Sequence, residues 1–142
     1  MPPPLVHYDT EDGYRQHYEA NYCQAMIRTF DGMPVYFPRQ QFDDAFFESA
    51  SRKARDKSVF SRERAERIDW IRTVLEDSDA ALRMGWNRRT KRPNPRRRVA
   101  VAYGNYVVVV HVKRNRQSAT FITAYVASQS TVGRILDGNA WR

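Results

Sequence analysis

The chain has 142 residues, 42% of them hydrophobic, which suits one folded domain and excludes a disordered chain. Its apolar runs fall short of the roughly 18 residues of a membrane span, and residues 1–4 lack the pattern of a signal peptide. The net charge of +8 indicates a polyanionic partner.

Helices are predicted in the first half of the chain. Residues 1–13 form a proline-led segment that we expect to be loosely held. Apolar spacings of three and four predict helices over residues 14–28 and 40–49, with a short strand over 33–37 between them. The clearest helix begins after Ser61, a good N-cap residue, and ends before residues 77–79.

Strands are predicted in the second half of the chain. Residues 81–86 are predicted to form the first strand. Residues 87–98 contain two prolines and seven positive charges, and they are predicted to form a loop. Two β-branched runs around Gly104-Asn105 indicate a hairpin, residues 113–118 a second turn, and residues 119–127 a further strand. A short helix over residues 131–136 follows. We therefore predict an α+β fold, with N-terminal helices on one face of a three- to four-stranded antiparallel sheet.

The chain reads as one domain, residues 1–142, with a helical part (1–60) and a helix-plus-sheet part (61–137). Its charge is unevenly divided between the ends. Residues 1–79 hold eleven Lys/Arg and fifteen Asp/Glu, whereas residues 80–142 hold thirteen Lys/Arg and one acid, Asp137. A concentrated positive field of this kind attracts phosphate backbones, so we expect RNA as the partner. The single cysteine, Cys23, excludes an internal disulfide framework and favours the cytoplasm.

Alternation along the last two strands predicts which side chains share a face. Val107, Val109, His111 and Lys113 fall on one side of their strand. On the last strand we expect Thr120, Ile122, Ala124 and Val126 on one side, the last three of them in the core, with Phe121, Thr123 and Tyr125 opposite. The accessible face would then carry His111, Lys113, Thr123 and Tyr125.

These residue types suit RNA cleavage without a metal or cofactor. His111 can move a proton near neutral pH, cations stabilise the charge that grows on the phosphate, and hydroxyls donate hydrogen bonds. Trp86 is expected to stack on a base. The expected phosphate contacts are Arg88, Arg89, Lys91, Arg92, Arg96, Arg97, Arg98 and Arg114.

The same segments resemble the barnase–EndoU–colicin–RelE group of ribonucleases, in particular its phage-associated branch. The similar segments are a helix (ERAERIDWIRTVLEDSDA), a basic loop, a hairpin (RVAVAYGNYVVVVHV) and a strand (FITAYVAS), which together span residues 61–127. The resemblance implies a helix-plus-four-stranded-sheet fold and metal-independent cleavage of RNA, often tRNA, in a toxin or phage–host setting. It also implies roles for Thr123 and Tyr125 in the cleft.

The chain departs from that group in one respect. Barnase-like members use a sheet glutamate as base, and no carboxylate occurs here between Asp79 and Asp137. Three functions therefore stay open: an endoribonuclease, a non-catalytic nucleic-acid binder, and an interaction protein whose basic face docks an acidic antitoxin or immunity protein.

Overall fold

The computed structural model describes residues 2–49, 57–87 and 89–141. Within them, the α-helices are α1 (Glu11–Tyr18), α2 (Gln41–Ala45), α3 (Arg62–Glu66), α4 (Ile68–Leu75) and α5 (Gln129–Leu136). The strands are β1 (Ile27–Arg28), β2 (Pro34–Tyr36), β3 (Phe47–Glu48), β4 (Val59–Phe60), β5 (Ala81–Asn87), β6 (Arg92–Ala102), β7 (Tyr106–Val112) and β8 (Ala119–Val126). None of these helices combines the length and apolar character that a bilayer crossing requires.

The fold is α+β, as predicted, but the main sheet is larger than expected. It has six strands in the order β1-β2-β8-β7-β6-β5, and β3 pairs separately with β4. All its pairs are antiparallel except β2–β8, which is parallel, with Val35 opposite Ala119 and Tyr36 opposite Thr120. The prediction of three to four strands was wrong because β1 and β2 are short and join β8 from far away in sequence. No local pattern reports such a pairing.

The helices differ from their predicted bounds for local reasons. Helix α1 begins earlier than expected because the Thr10 side chain caps it, and after Tyr18 the chain continues as one π-helical turn, Glu19–Cys23. The long helix predicted after Ser61 is divided at Arg67 into α3 and α4. Its predicted N-cap is confirmed, since Ser61 Oγ accepts from the Arg64 N–H at 3.3 Å.

The N-terminal segment is held firmly, contrary to expectation. The Val6 N–H donates to the Glu66 carbonyl at 2.8 Å, and Trp70 Nε1 donates to the Pro3 carbonyl at 2.7 Å. The Tyr14 hydroxyl donates to the Val6 carbonyl at 3.1 Å. These hydrogen bonds satisfy backbone groups of an extended segment that lies along α3 and α4. The composition of residues 1–13 did not reveal this attachment.

Both faces of the sheet are covered. The core face packs on α1–α4 through Ala100, Val108, Val110, Phe121 and Ala124. The opposite face, which we call the α5 face, packs on α5 in a smaller cluster that contains Val99, Val101, Val107, Val109 and Val132. Strand β7 is therefore buried on both sides from Tyr106 to Val110.

The predicted loop over residues 87–98 was mostly wrong, because β6 already begins at Arg92. Arg92 to Asn94 pair with β5 alone, and pairing with β7 starts at Arg97. One edge of this part of β6 is therefore unpaired, so Pro93 and Pro95 can lie there without breaking a central ladder. The two strands form a ribbon that projects beyond β7.

Among the described cations of residues 87–98, Arg98 is the one that is buried in the core. Its side chain is only 2% exposed, and its Nη1 donates to both carboxylate oxygens of Asp31, at 3.0 and 3.2 Å. Burial works to raise the pKa of Asp31, but hydrogen bonds from Thr29 and Arg98 and the charge of Arg98 outweigh it and lower the pKa. The Phe30 ring lies beside the guanidinium as well.

Asp31→Asn is expected to lower the free energy of unfolding by about 3 kcal/mol, because it leaves a buried guanidinium unpaired. Urea denaturation measures this, and Asp79→Asn, an exposed carboxylate with the same charge change, serves as the control. Since the folded pKa of Asp31 is depressed, its contribution is present above the ordinary pKa of 3.8 and is lost as pH falls through the folded value. Equal midpoints for both variants would contradict the structural role of this pair.

Candidate nucleic-acid interface

The sheet topology gathers positive charge at one end. In an antiparallel meander alternate turns lie at the same end, so the β5–β6 turn and the β7–β8 turn (residues 113–118) lie at the same end of the sheet. We call this the basic end; its exposed described cations include Arg89, Lys91, Arg92, Arg96, Lys113 and Arg114. Arg88 lies outside the described residues.

Among the described residues, the carboxylates of residues 1–79 form no ion pair with the exposed cations of the basic end. Of the eight ion pairs between described residues, only Arg98–Asp31 joins a cation after residue 79 to a carboxylate before it. The remaining pairs lie within the N-terminal half. The positive charges of the basic end are therefore available to an external polyanion.

Arg98 has to be removed from the expected phosphate contacts. Its burial and its bonds to Asp31 leave it inaccessible to a ligand, whereas its neighbours Arg96 and Arg97 lie nearer the surface. The register between β5 and β6 shifts between Met84 and Gly85, and this shift decides which of the three arginines points inward. Their positions in the sequence could therefore not distinguish them.

A row of polar side chains crosses the α5 face where the basic end begins. Arg97 is opposite His111, His111 is opposite Thr120, and Thr120 is opposite Tyr36. Residues that pair directly across strands share a face, so these four side chains are neighbours. Thr120 and Tyr36 were not among the predicted site residues, and Tyr36 is 53% exposed.

A bulge in β8 explains why Thr120 was assigned to the wrong side. The register shifts between Val109 and Val110, so Val109 is opposite Thr123 while Val110 is opposite Phe121. Ile122 is the extra residue, and it packs in the α5-face cluster while Phe121 enters the core. The predicted faces of Phe121 and Ile122 were therefore wrong, because alternation fails across a bulge. Thr123 and Tyr125 do lie opposite the core face.

His111 is held in a cationic environment. Its Nε2 lies 3.2 Å from Nη2 of Arg96, and because a guanidinium only donates, Nε2 is the acceptor. Arg96 also donates through Nε to the Val112 carbonyl at 3.3 Å. Partial burial, followed by the charges of Arg96 and Arg97, lowers the pKa of His111 from its ordinary 6.5. The lowered pKa favours the neutral imidazole, whose Nε2 lone pair is occupied by the bond from Arg96.

Lys113 extends this cluster beyond the end of β7. Its Nζ lies 5.1 Å from the centroid of the Tyr36 ring, which brings an ammonium and a phenol to the same end of the polar row. Because Tyr36 lies on the α5 face, this contact puts Lys113 on the same face as His111, as the alternation predicted. With Arg96 and Arg97 they form what we call the anion cluster.

Thr123 and Tyr125 do not join the anion cluster. Tyr125 is opposite Val107, four residues before His111, which puts it roughly 13 Å away along the sheet. Thr123 is nearer, but its Oγ1 is buried and has no hydrogen-bond partner among the described residues. The four predicted catalytic residues are therefore divided between two places on one face.

A cleft of about 680 Å³ lies between the sheet and α5, next to the anion cluster. Arg97 belongs to both, because its side chain also lines the cleft and packs directly on Gly85, where a Cβ would meet it at 2.4 Å. Trp86, which is 59% exposed, and Tyr125 line the cleft too. Arg134 of α5, a residue not singled out from the sequence, completes its cationic lining.

Comparison of the chain with protein-family models, with curated proteins and with solved structures found no match. The resemblance to the barnase–EndoU–colicin–RelE group therefore stays a prediction.

Replacing Arg96 by glutamine is expected to raise the pKa of His111, because the change removes a positive charge and the donor to Nε2. An NMR titration of the imidazole protons measures the pKa, with the signal assigned by its loss in His111→Gln. The control is Arg92→Gln, which removes an equal charge from the projecting ribbon. A pKa unchanged by Arg96→Gln would show that Arg96 does not govern the histidine.

Proposed function

We propose that this protein is a metal-independent endoribonuclease that binds RNA at its basic end and uses His111 as the general base. The observation that carries the proposal is a neutral imidazole held among cations. The pKa of His111 is lowered by burial, Arg96 and Arg97, so the group that must accept a proton is unprotonated where the phosphate would bind. The same cations provide the charge that an RNA backbone requires.

The proposed reaction is an intramolecular transesterification. A phosphate draws the Arg96 guanidinium from Nε2 of His111, which frees the lone pair of the imidazole. His111 then takes the proton of the ribose 2′-hydroxyl, and the 2′-oxygen forms a bond to phosphorus. The bond to the 5′-oxygen breaks, and that oxygen takes a proton from the Lys113 ammonium. The products are a 2′,3′-cyclic phosphate and a 5′-hydroxyl, and no water is consumed.

Arg96 and Arg97 have a second role in this proposal. As the phosphorus gains a fifth oxygen, negative charge grows on its equatorial oxygens, and two guanidinium groups beside the imidazole stabilise it. Thr120 supplies a hydroxyl between His111 and Tyr36 in the polar row. Tyr125 lies outside this reaction centre and lines the neighbouring cleft, so we assign it there. Thr123, whose Oγ1 is buried, has no part in the proposed reaction.

The wider setting belongs to the proposal too. A tRNA substrate, a toxin-like role in phage or mobile-element conflict, and action in the cytoplasm follow from the resemblance and the charge. An acidic antitoxin or immunity protein would be complementary to the basic end and would compete with RNA there.

His111→Gln is expected to slow cleavage of total tRNA in EDTA at least about 100-fold, because general-base catalysis contributes that much or more. Lys113→Ala should also slow cleavage, and Arg89→Gln, which removes a charge from the β5–β6 turn, should leave the cleavage rate at saturating RNA close to wild type. Electrophoresis of end-labelled RNA measures the rates. Cleavage that survives His111→Gln, or that EDTA abolishes, would contradict the mechanism.

The pH dependence of cleavage gives a second test. A general base must be unprotonated, so the rate at saturating RNA should rise with pH through the lowered pKa of His111 and level off by neutral pH. In Arg96→Gln the same limb should move to higher pH. A rate that falls across that range would assign His111 the role of an acid instead.

A non-catalytic RNA-binding protein is the second candidate function. It is favoured by the bond from Arg96 to Nε2, which occupies the lone pair of His111, and by the separation of Tyr125 from the imidazole. Such a protein would bind RNA with a log–log salt slope of about −0.7 for each phosphate neutralised and would return the RNA intact. A slope near zero would contradict both candidate functions.

A further inference from the structure

We infer that Gln41, in the helical layer that covers the core face, is a positioning residue for the opposite face of the sheet. Its side-chain amide holds the bulge of β8, and the bulge brings the Thr120 hydroxyl next to His111. The effect of Gln41 on cleavage rests on the proposed function, whereas its effect on the position of Thr120 does not.

The bulge is what turns Thr120 to the α5 face. Strict alternation from Thr123, which lies on that face, would turn Phe121 to the α5 face and Thr120 to the core face. With Ile122 as the extra residue the two exchange sides. Phe121 is therefore buried in the core, and Thr120 is opposite His111.

The extra residue of a bulge is left outside the regular ladder of hydrogen bonds, and Gln41 supplies a partner for it. Gln41 Nε2 donates to the Ile122 carbonyl at 2.7 Å, which is at the short end of the range for such bonds. The ladder between β2 and β8 ends at Thr120, so β2 offers Ile122 no partner. The amide therefore satisfies a backbone group of the bulged residue itself.

The amide can hold the bulge because Gln41 is itself held. It is the first residue of α2, and its N–H donates to the Pro38 carbonyl at 3.1 Å. The same carbonyl accepts from the Tyr18 hydroxyl at 2.8 Å. The next residue, Phe42, is fully buried, with its ring centroid 4.8 Å from that of Phe46. The bulge is thus attached to the aromatic core, and it cannot shift along β8 without losing this bond.

Nuclear Overhauser spectroscopy tests the positioning without requiring cleavage. In the wild-type protein the side-chain amide protons of Gln41 should give cross-peaks to the backbone protons of Ile122 and Thr123, and Thr120 should give them to His111. Gln41→Met keeps the length of the side chain and removes the donor. We expect the cross-peaks between Thr120 and His111 to weaken or disappear in this variant, because the bulged carbonyl is left without its partner.

Two further variants serve as controls. Gln40→Met removes the same amide from the preceding, exposed residue and should leave every cross-peak in place. Gln41→Lys provides a donor of similar reach and should restore the cross-peaks between Thr120 and His111. Unchanged cross-peaks in Gln41→Met would overturn the inference. So would wild-type protein without cross-peaks from the Gln41 amide to Ile122, a measurement that does not depend on the folding of any variant.

Cleavage provides a second readout. Thr120→Val is expected to lower kcat about tenfold with KM nearly unchanged, because one hydrogen bond to the reacting phosphate is removed. Gln41→Met should lower kcat in the same way. The double variant should be no slower than Thr120→Val alone, since both changes remove the same hydroxyl from the site. Additive losses would assign Gln41 a merely structural role and overturn the inference.

The outcome is separable from that of the proposed function. Loss of the contact between Thr120 and His111 in Gln41→Met, in a protein that leaves RNA intact, would support the positioning role and reject the nuclease. RNA cleavage that depends on His111, with the contact and the rate unchanged in Gln41→Met, would do the reverse.

Discussion

The arrangement of this protein depends on the burial of β7 on both faces. Val107 to Val110 are enclosed by α1–α4 on one side and by the α5-face cluster on the other, and burial of four adjacent valines is a large hydrophobic contribution. Coverage of the α5 face decreases towards His111, which is only partly buried. The histidine is thus placed at the boundary between a dry core and a charged end, where the environment depresses its pKa without enclosing it.

The charges are separated by the same topology. The meander brings two basic turns to one end, while the carboxylates are carried mainly by the N-terminal half and pair within it. Among the described residues, Arg98–Asp31 is the ion pair that joins the two halves. This pair stabilises the fold, whereas the exposed arginines of the same run are available to the interface. Adjacent arginines in one run therefore have opposite roles, and only the direction of each side chain distinguishes them.

Much of the sheet was predictable, because local patterns specify it. Alternation assigned the faces of β7 correctly, and the β5, β7 and β8 strands and α5 were located within a few residues. The shared face of His111 and Lys113 also followed from their spacing. The errors fall where a local rule is broken by a distant partner. The bulge at Ile122 reversed the expected side of Phe121 and Thr120, and the unpaired edge of β6 allowed prolines within a strand. Tyr36 joined the polar row through a parallel pairing that has no local signal.

The sequence by itself determined the α+β class, the excess of positive charge after residue 79 and the residue types available for chemistry, because these depend on composition and on short-range periodicity. Only the tertiary structure decided which cations remain at the surface, that His111 contacts Arg96, and that Thr123 and Tyr125 lie apart from it. The physical reason is that register, bulges and sheet order are set by packing between distant segments, so neither the site nor the cleft beside it exists until those segments meet.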